Sequence, residues 1–185
     1  MKKSGPEFIS ERISYVKDGE SLSLVITANH SKSKTRFLFG VLLLWLLGGG
    51  TIIFNFTSLS GEQSKVMLLV WLGFWIYFLY IIGKAWRWNK FGNEIIKISN
   101  GTLKLKNDVR GRGWVHTYDA SKIKDLKEYG EGQPAWFKQF GGDYWSTDPD
   151  TLSFQCEDRL VAFGYQLNEK EKKEILRLLK HALPR

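Results

Sequence analysis

Cysteine and histidine are scarce in this sequence, and their scarcity excludes several kinds of site. The single cysteine, Cys156, rules out an internal disulfide and a cysteine-based metal cluster, and it fits a reducing compartment. The three histidines, His30, His116 and His181, lie far apart, and no G-x-S-x-G motif or P-loop accompanies them. We therefore predict no catalytic residue, no metal and no cofactor. Only a cleft that gathered His116, Asp119 and a carboxylate from the aromatic segment 130–149 would reopen the enzyme hypothesis.

Charged residues are missing altogether from two long apolar stretches, residues 37–56 and 66–83. At about 1.5 Å per helical residue, about 20 and 18 residues reach about 30 and 27 Å, close to the hydrocarbon thickness of a bilayer. Buried helices of a soluble protein would keep a polar stripe, and a signal peptide would not follow 36 mostly polar residues. Residues 57–65 between the stretches suffice only for a turn, so a two-helix transmembrane hairpin is predicted.

Positive charge flanks this hairpin on one side. The flanking cations are Lys32, Lys34 and Arg36 before the first stretch and Lys84, Arg87 and Lys90 after the second. The connecting loop contains only Lys65, so the positive-inside rule places both termini in the cytoplasm and makes the chain a multi-pass protein of the inner membrane. The net charge of +8 favours anionic lipid as partner; nucleic acid is a poor candidate for a tethered domain with interspersed acids.

The rest of the sequence has the pattern of short strands and one closing helix. Strands are predicted at 12–17, 20–28, 94–99, 102–107, 113–118, 122–129, 152–156 and 159–167. The first two form a hairpin that is too small to be stable alone, so it must pack on the strands after the apolar stretches. Asn168 and Glu171 form a capping-box pattern that starts an amphipathic helix, and Pro184 ends it.

This order defines the predicted fold class, an α+β membrane protein. It comprises a cytoplasmic segment with a β-hairpin (1–36), the transmembrane hairpin (37–83) and a second cytoplasmic domain (84–185), whose antiparallel strands form a barrel or sheet capped by the last helix.

Several short motifs stand out in the strand-rich part. They are Glu94-Ile95-Ile96, Tyr118-Asp119 with Ile123, and the run Ala162-Phe163-Gly164-Tyr165-Gln166-Leu167 leading into Asn168-Glu169-Lys170-Glu171. Together they resemble the motifs of the bacterial pleckstrin-homology-like (bPH-type) membrane proteins of unknown function. The resemblance implies a split pleckstrin-homology-like barrel, with the membrane hairpin inserted after its first strands, and it implies no catalysis. The segment 130–149 is longer than a compact barrel of this kind needs.

A basic region after the hairpin is a candidate site for anionic lipid headgroups. It comprises Lys104, Lys106, Arg110 and Arg112, with Arg87 and Lys90 beside the apolar stretch. Two arginines in the sequence R-G-R-G can clamp an anion bidentately, and in eukaryotic pleckstrin-homology domains a basic loop in a comparable place binds inositol phosphates. The alternatives are that alternating lysines form the solvated face of a strand and that the juxtamembrane cations only fix topology.

An aromatic segment is the candidate surface for a protein partner. Its rings are Trp136, Phe137, Phe140, Tyr144 and Trp145, clustered in a glycine-rich stretch without strand or helix periodicity. Such a cluster is either a binding surface or a loop packed on the domain. The leading functional hypothesis is a non-enzymatic membrane-anchored adaptor or accessory subunit, with a protein partner or a second copy as partner; anionic-lipid recognition is the alternative.

The apolar stretches themselves contain no ionisable residue, which argues against an ion or proton pathway. Gly48-Gly49-Gly50 in the first stretch predicts a close approach between the two helices.

Overall fold

The computed structural model describes residues 5–19, 21–28, 32–55, 62–129 and 150–184. The predicted aromatic surface, Trp136 to Trp145, lies outside these residues, as does His30. The strands are β1 (Glu7–Ser10), β2 (Ile13–Asp18), β3 (Ser21–Thr27), β4 (Gly92–Ser99), β5 (Thr102–Val109), β6 (Val115–Asp119), β7 (Ile123–Glu128), β8 (Asp150–Cys156) and β9 (Arg159–Tyr165). The helices are α1 (Lys32–Asn55), α2 (Glu62–Phe91) and α3 (Glu169–Ala182), and a single 3-10 turn (Ala120–Lys122) precedes β7.

Helices α1 and α2 are long and apolar enough to cross a bilayer, and the rest of the chain buries only 11% and 6% of their apolar stretches. With 30 residues, α2 is about 45 Å long, which exceeds the hydrocarbon thickness of a bilayer. It continues past the predicted limit at residue 83 as far as Phe91, and β4 begins at Gly92 without an intervening loop. The end of α2 is therefore joined rigidly to the sheet.

A reciprocal pair of tryptophans holds α1 against α2. The indole N–H of Trp45 donates to the carbonyl oxygen of Trp75, and the indole N–H of Trp75 donates to the carbonyl oxygen of Trp45. Each donor–acceptor distance is 3.1 Å. The ring of Trp75 lies so close to Gly49 that a Cβ atom there would come within 2.0 Å of it. The close approach predicted from the glycine triplet is confirmed, and Gly49 is the residue that allows it.

The strands form two antiparallel sheets. The first has the order β1-β2-β3-β4-β5-β6 and the second the order β7-β8-β9. Strand β3 pairs with β4 from Leu22↔Ile98 to Thr27↔Asn93, so strands from both sides of the helical hairpin meet in one sheet, as predicted. Strand β1 was not predicted. The described strands do not close into a barrel, which corrects the barrel alternative of the predicted fold class.

Helix α3 completes the core between the two sheets. Its side chains Ile175 and Leu179 are buried together with Leu24 and Ile96 of the first sheet and Phe154 of the second. The predicted capping box is present: the Asn168 side chain accepts from the backbone N–H of Glu171, and Glu171 accepts from that of Asn168. These reciprocal bonds fix where α3 starts and therefore which face it turns toward the sheets.

Candidate functional site

Two side chains, Glu94 and Arg12, hold the end of the second sheet against the rest of the domain, and we call this pair the clasp. Glu94 of β4, which is 5% exposed, accepts backbone N–H bonds from Gly164 and Tyr165 at 2.9 and 3.0 Å. From the other side, Arg12 donates to the carbonyl oxygens of Tyr165 and Gln166 at 3.2 and 2.5 Å. Residues that precede and follow the helical hairpin thus hold the same short segment.

An ion pair between Arg12 and Glu171 extends this clasp to the first turn of α3. The guanidinium Nη2 lies 2.7 Å from the Glu171 Oε2, and both side chains are nearly buried. Burial raises the pKa of Glu171, but hydrogen bonds from Arg12 and from the Asn168 N–H outweigh it, so the pKa lies below its ordinary value. Glu171 is therefore a carboxylate at neutral pH.

The clasp also positions the end of α2. The ring of Tyr165 meets that of Trp88 edge to face, with centroids 5.6 Å apart, and Ala28 packs beside them. A Cβ atom on Gly92 would lie 2.5 Å from the Trp88 carbonyl oxygen, so only glycine allows this passage from helix to strand. The residues around Trp88 therefore have a fixed position relative to the sheets.

The R-G-R-G sequence forms the tip of the β5–β6 hairpin. Val109 and Arg112 pair across it through two backbone hydrogen bonds of 2.8 and 3.2 Å. Arg110 and Gly111 both have positive φ angles, +54° and +82°, which a tight two-residue turn requires. Asp108 stabilises the turn by accepting the Gly111 N–H at 2.9 Å. The hydrogen bond from Lys106 lowers the pKa of Asp108, which keeps it ionised.

Cations and aromatic rings from α1, α2 and this tip stack on one another. The Arg110 guanidinium lies 3.6 Å from the ring centre of Phe91, at the end of α2. The Lys90 ammonium lies 4.9 Å from the ring centre of Trp86, and Trp86 contacts Phe39 of α1 at 5.8 Å. These cation–π contacts leave the outer side of each charge available to an anion.

Two grooves run between α2 and the hairpin tip, and Arg87 and Arg112 line both. The smaller groove has a volume of about 570 Å³ and also contains Trp86, Phe91 and Arg110. The larger groove has a volume of about 680 Å³. Its helical wall includes Leu79, Tyr80, Gly83 and Lys84, and its strand wall includes Trp114 and His116. The Trp114 side chain is 86% exposed.

The structure brings together part of the predicted lipid-binding set. Arg87, Arg110 and Arg112 line the grooves, and Lys90 lies on the adjacent rings. Lys106 also lies near the tip, but it is paired with Asp108 at 2.5 Å and donates to the Gly111 carbonyl. Lys104 lines neither groove; it lies opposite Lys97 in the middle of the β4–β5 pair, as the solvated-face alternative expects.

Sequence reasoning missed the apolar half of the site. Trp114, directly after the R-G-R-G motif, falls within the predicted strand 113–118, and Tyr80 falls within the apolar stretch 66–83, so neither stands out as a site residue. A possible signal was the adjacency of a tryptophan to two arginines, which is common at membrane interfaces.

No catalytic arrangement appears in the residues that the structure describes. The Asp119 carboxylate accepts from the backbone N–H and the hydroxyl of Ser121, at 3.0 and 2.7 Å, and so caps the 3-10 turn. Within the described ranges, no group of three or more His, Cys, Asp or Glu side chains could hold a metal ion.

Comparison with known proteins leaves the family open. No protein-family model matches the chain, and no curated protein or solved structure shows detectable similarity to it. The resemblance to bacterial pleckstrin-homology-like membrane proteins therefore stays a prediction.

Proposed function

We propose that this chain is a non-enzymatic accessory protein of the inner membrane, whose hairpin crosses the bilayer twice and whose β-domain binds anionic lipid headgroups at the cytoplasmic surface. The observation that carries this proposal is a collar of cations and rings around the end of α2. The collar comprises Lys84, Trp86, Arg87 and Lys90 of the helix and Arg110 and Arg112 of the β5–β6 tip.

The exposure of large apolar side chains along both helices supports insertion into a bilayer. Leu44 and Phe54 on α1 and Met67 and Phe74 on α2 are each more than 60% exposed. Water would penalise such a surface on every side of both helices, whereas lipid chains would cover it. The collar then lies where α2 leaves the hydrocarbon, which is the depth of lipid phosphates.

The charges of the collar lack acidic partners in the part of the chain that the structure describes. None of Lys84, Arg87, Arg110 and Arg112 has a carboxylate within salt-bridge distance there. Each well-placed cation contributes about 1 kcal/mol toward an anionic surface. Because the tip is tied to α2, lipid binding at the collar would hold the whole β-domain in one orientation against the membrane.

The orientation is tested by thiol labelling in a Cys156→Ala background. An impermeant maleimide added to intact spheroplasts should label the Ser60→Cys variant and leave the Lys104→Cys variant unlabelled, because only the connecting loop would face outward. Opening the membrane should make position 104 reactive, which controls for its accessibility. Labelling of position 104 in intact cells would reverse the proposed topology.

Lipid binding at the collar is tested by hydrogen exchange of the full chain in nanodiscs. In anionic phosphatidylglycerol, the amides of residues 107–116 should exchange several-fold more slowly than in zwitterionic phosphatidylcholine, because headgroups would cover the tip. High salt should reduce the difference by screening. The turn at Glu157-Asp158 serves as the internal control. Equal exchange of residues 107–116 in both lipids, at low salt, would contradict the proposal.

A further inference from the structure

The larger groove differs from a general basic surface because its helical wall changes character along α2. Leu79 and Tyr80 form an apolar end and Lys84 and Arg87 a cationic end, while Arg112 and Trp114 line the other wall. Tyr80 and Arg87 lie about two helical turns apart, or about 10 Å along α2. A ligand that fills the groove must therefore be an amphiphile with its anionic group at one end.

The direction of this gradient matches that of a lipid in the proposed bilayer. The apolar end lies toward the middle of α2, and the cationic end lies toward Phe91, where the helix enters the sheet. A phospholipid whose phosphate binds between Arg87 and Arg112 would have its acyl chain directed along α2 into the hydrocarbon. A soluble anion would use only the cationic end and would leave the apolar walls uncovered.

Two residues make room for an acyl chain and cover it. Gly83 lines the groove, and no heavy atom would lie within 4 Å of a Cβ placed there, so its missing side chain leaves open space. Trp114 lines the same groove from the β5–β6 side, with 86% of its surface exposed. An exposed tryptophan in a groove that also has an apolar helical wall gains contact area when a hydrocarbon chain enters that groove.

From these observations we infer that the larger groove seats one anionic phospholipid, with its phosphate between Arg87 and Arg112 and the start of one acyl chain between Gly83 and Trp114. This inference rests on the proposed function and deepens it: the collar would attract anionic lipid in general, and the groove would retain a single molecule. The occupant is a lipid of the bilayer, and the guanidinium pair selects it by charge.

Retention of this lipid is measured by native mass spectrometry of the full chain in mild detergent. Added phosphatidylglycerol should form a one-to-one adduct, and phosphatidylcholine should form much less of it. Inorganic phosphate should not displace the bound phosphatidylglycerol. Arg87→Gln combined with Arg112→Gln should weaken the adduct about 25-fold, since each cation contributes about fivefold. Lys97→Gln combined with Lys104→Gln removes the same charge from outside the groove and should have little effect.

The acyl-chain half is tested by filling the groove. Gly83→Leu should abolish the adduct, whereas Gly73→Leu, the same change at another open position of α2, should not. Trp114→Ala should weaken the adduct as well, and because this side chain is exposed, its loss leaves the fold intact. Its matched control is Phe8→Ala, another exposed aromatic on the first sheet.

Three outcomes would overturn the inference. They are equal weakening by the two double variants, equal effects of Gly83→Leu and Gly73→Leu, and displacement by phosphate. In each case, slower amide exchange of residues 107–116 in anionic nanodiscs would still support the proposed function. The experiments therefore distinguish failure of single-lipid binding in the groove from failure of the general lipid interaction. If amide exchange of residues 107–116 in the wild type is also the same in anionic and zwitterionic nanodiscs, both proposals fail.

Discussion

Replacing Arg12 by alanine should destabilise the β-domain by about 3–5 kcal/mol, the range for removing one partner of a buried ion pair. The change would strand the Glu171 carboxylate, now 2.7 Å from the guanidinium, and would also leave the carbonyl oxygens of Tyr165 and Gln166 without this donor. The buried thiol of Cys156 provides the measurement, because its reactivity during urea denaturation in mild detergent reports unfolding of the second sheet.

The chain offers a matched control for this substitution. Arg177 pairs with Glu174 on the exposed side of α3, so Arg177→Ala should change the free energy of unfolding by less than about 0.5 kcal/mol. Arg12→Met combined with Glu171→Leu should recover only the part of the loss that comes from the stranded carboxylate, because the donors to Tyr165 and Gln166 and the Glu171 half of the capping box stay absent. If Arg12→Ala and Arg177→Ala lowered the free energy of unfolding equally, the buried ion pair would stabilise the domain no more than the exposed one does.

The pH dependence of stability provides a further check on the same ion pair. Because the pKa of Glu171 is depressed below its ordinary value of 4.5, its contribution is present above that pH in the wild type. It should be lost as the pH falls from 4.5 through the lower folded-state pKa. In Arg12→Ala, the hydrogen bond that lowers the pKa is gone, so this acid-dependent loss should shrink.

Glu94→Ala is expected to destabilise the domain by about 2–6 kcal/mol. It would leave the backbone N–H groups of Gly164 and Tyr165 buried without this acceptor, at about 1–3 kcal/mol each. Glu94→Gln preserves the side-chain volume and one acceptor oxygen but removes the negative charge, so it should cost less than Glu94→Ala, and the comparison separates the loss of charge from the loss of the whole side chain. Cys156 reactivity again reports the free energy of unfolding.

Glu157→Ala is the control for the acidic side chain, because Glu157 is exposed and pairs only with the exposed Lys122 among described residues. Since Arg12 and Glu94 grip the same segment, the double substitution Arg12→Ala with Glu94→Ala should cost less than the sum of the single ones. Strict additivity would mean that the two side chains act independently. If Glu94→Ala lowered the free energy of unfolding as little as Glu157→Ala does, the buried Glu94 side chain would not stabilise the domain through its hydrogen bonds.

Local features of the fold were predictable from the sequence because they depend on neighbouring residues. The two apolar helices follow from uncharged runs, and the start of α3 follows from Asn168 and Glu171. That the first hairpin packs on the strands after the apolar stretches was also predictable, since it would be unstable alone, but the pairing of β3 with β4 was not. Strand β1 was missed because Glu7–Ser10 is short, polar at both ends and only half-buried.

The sequence by itself thus determined the helical hairpin, the strand-rich remainder, the closing helix and the position of the basic residues. Only the tertiary structure decided which of those cations lie together. Lys104 lies outside the two grooves, whereas Arg87 lies beside Arg110 and Arg112. The reason is that α2 runs unbroken into β4, so its last turns pack against the β5–β6 tip. The tertiary structure also brought Arg12 and Glu94 to one buried segment, since contacts between residues far apart in sequence depend on how the sheets pack.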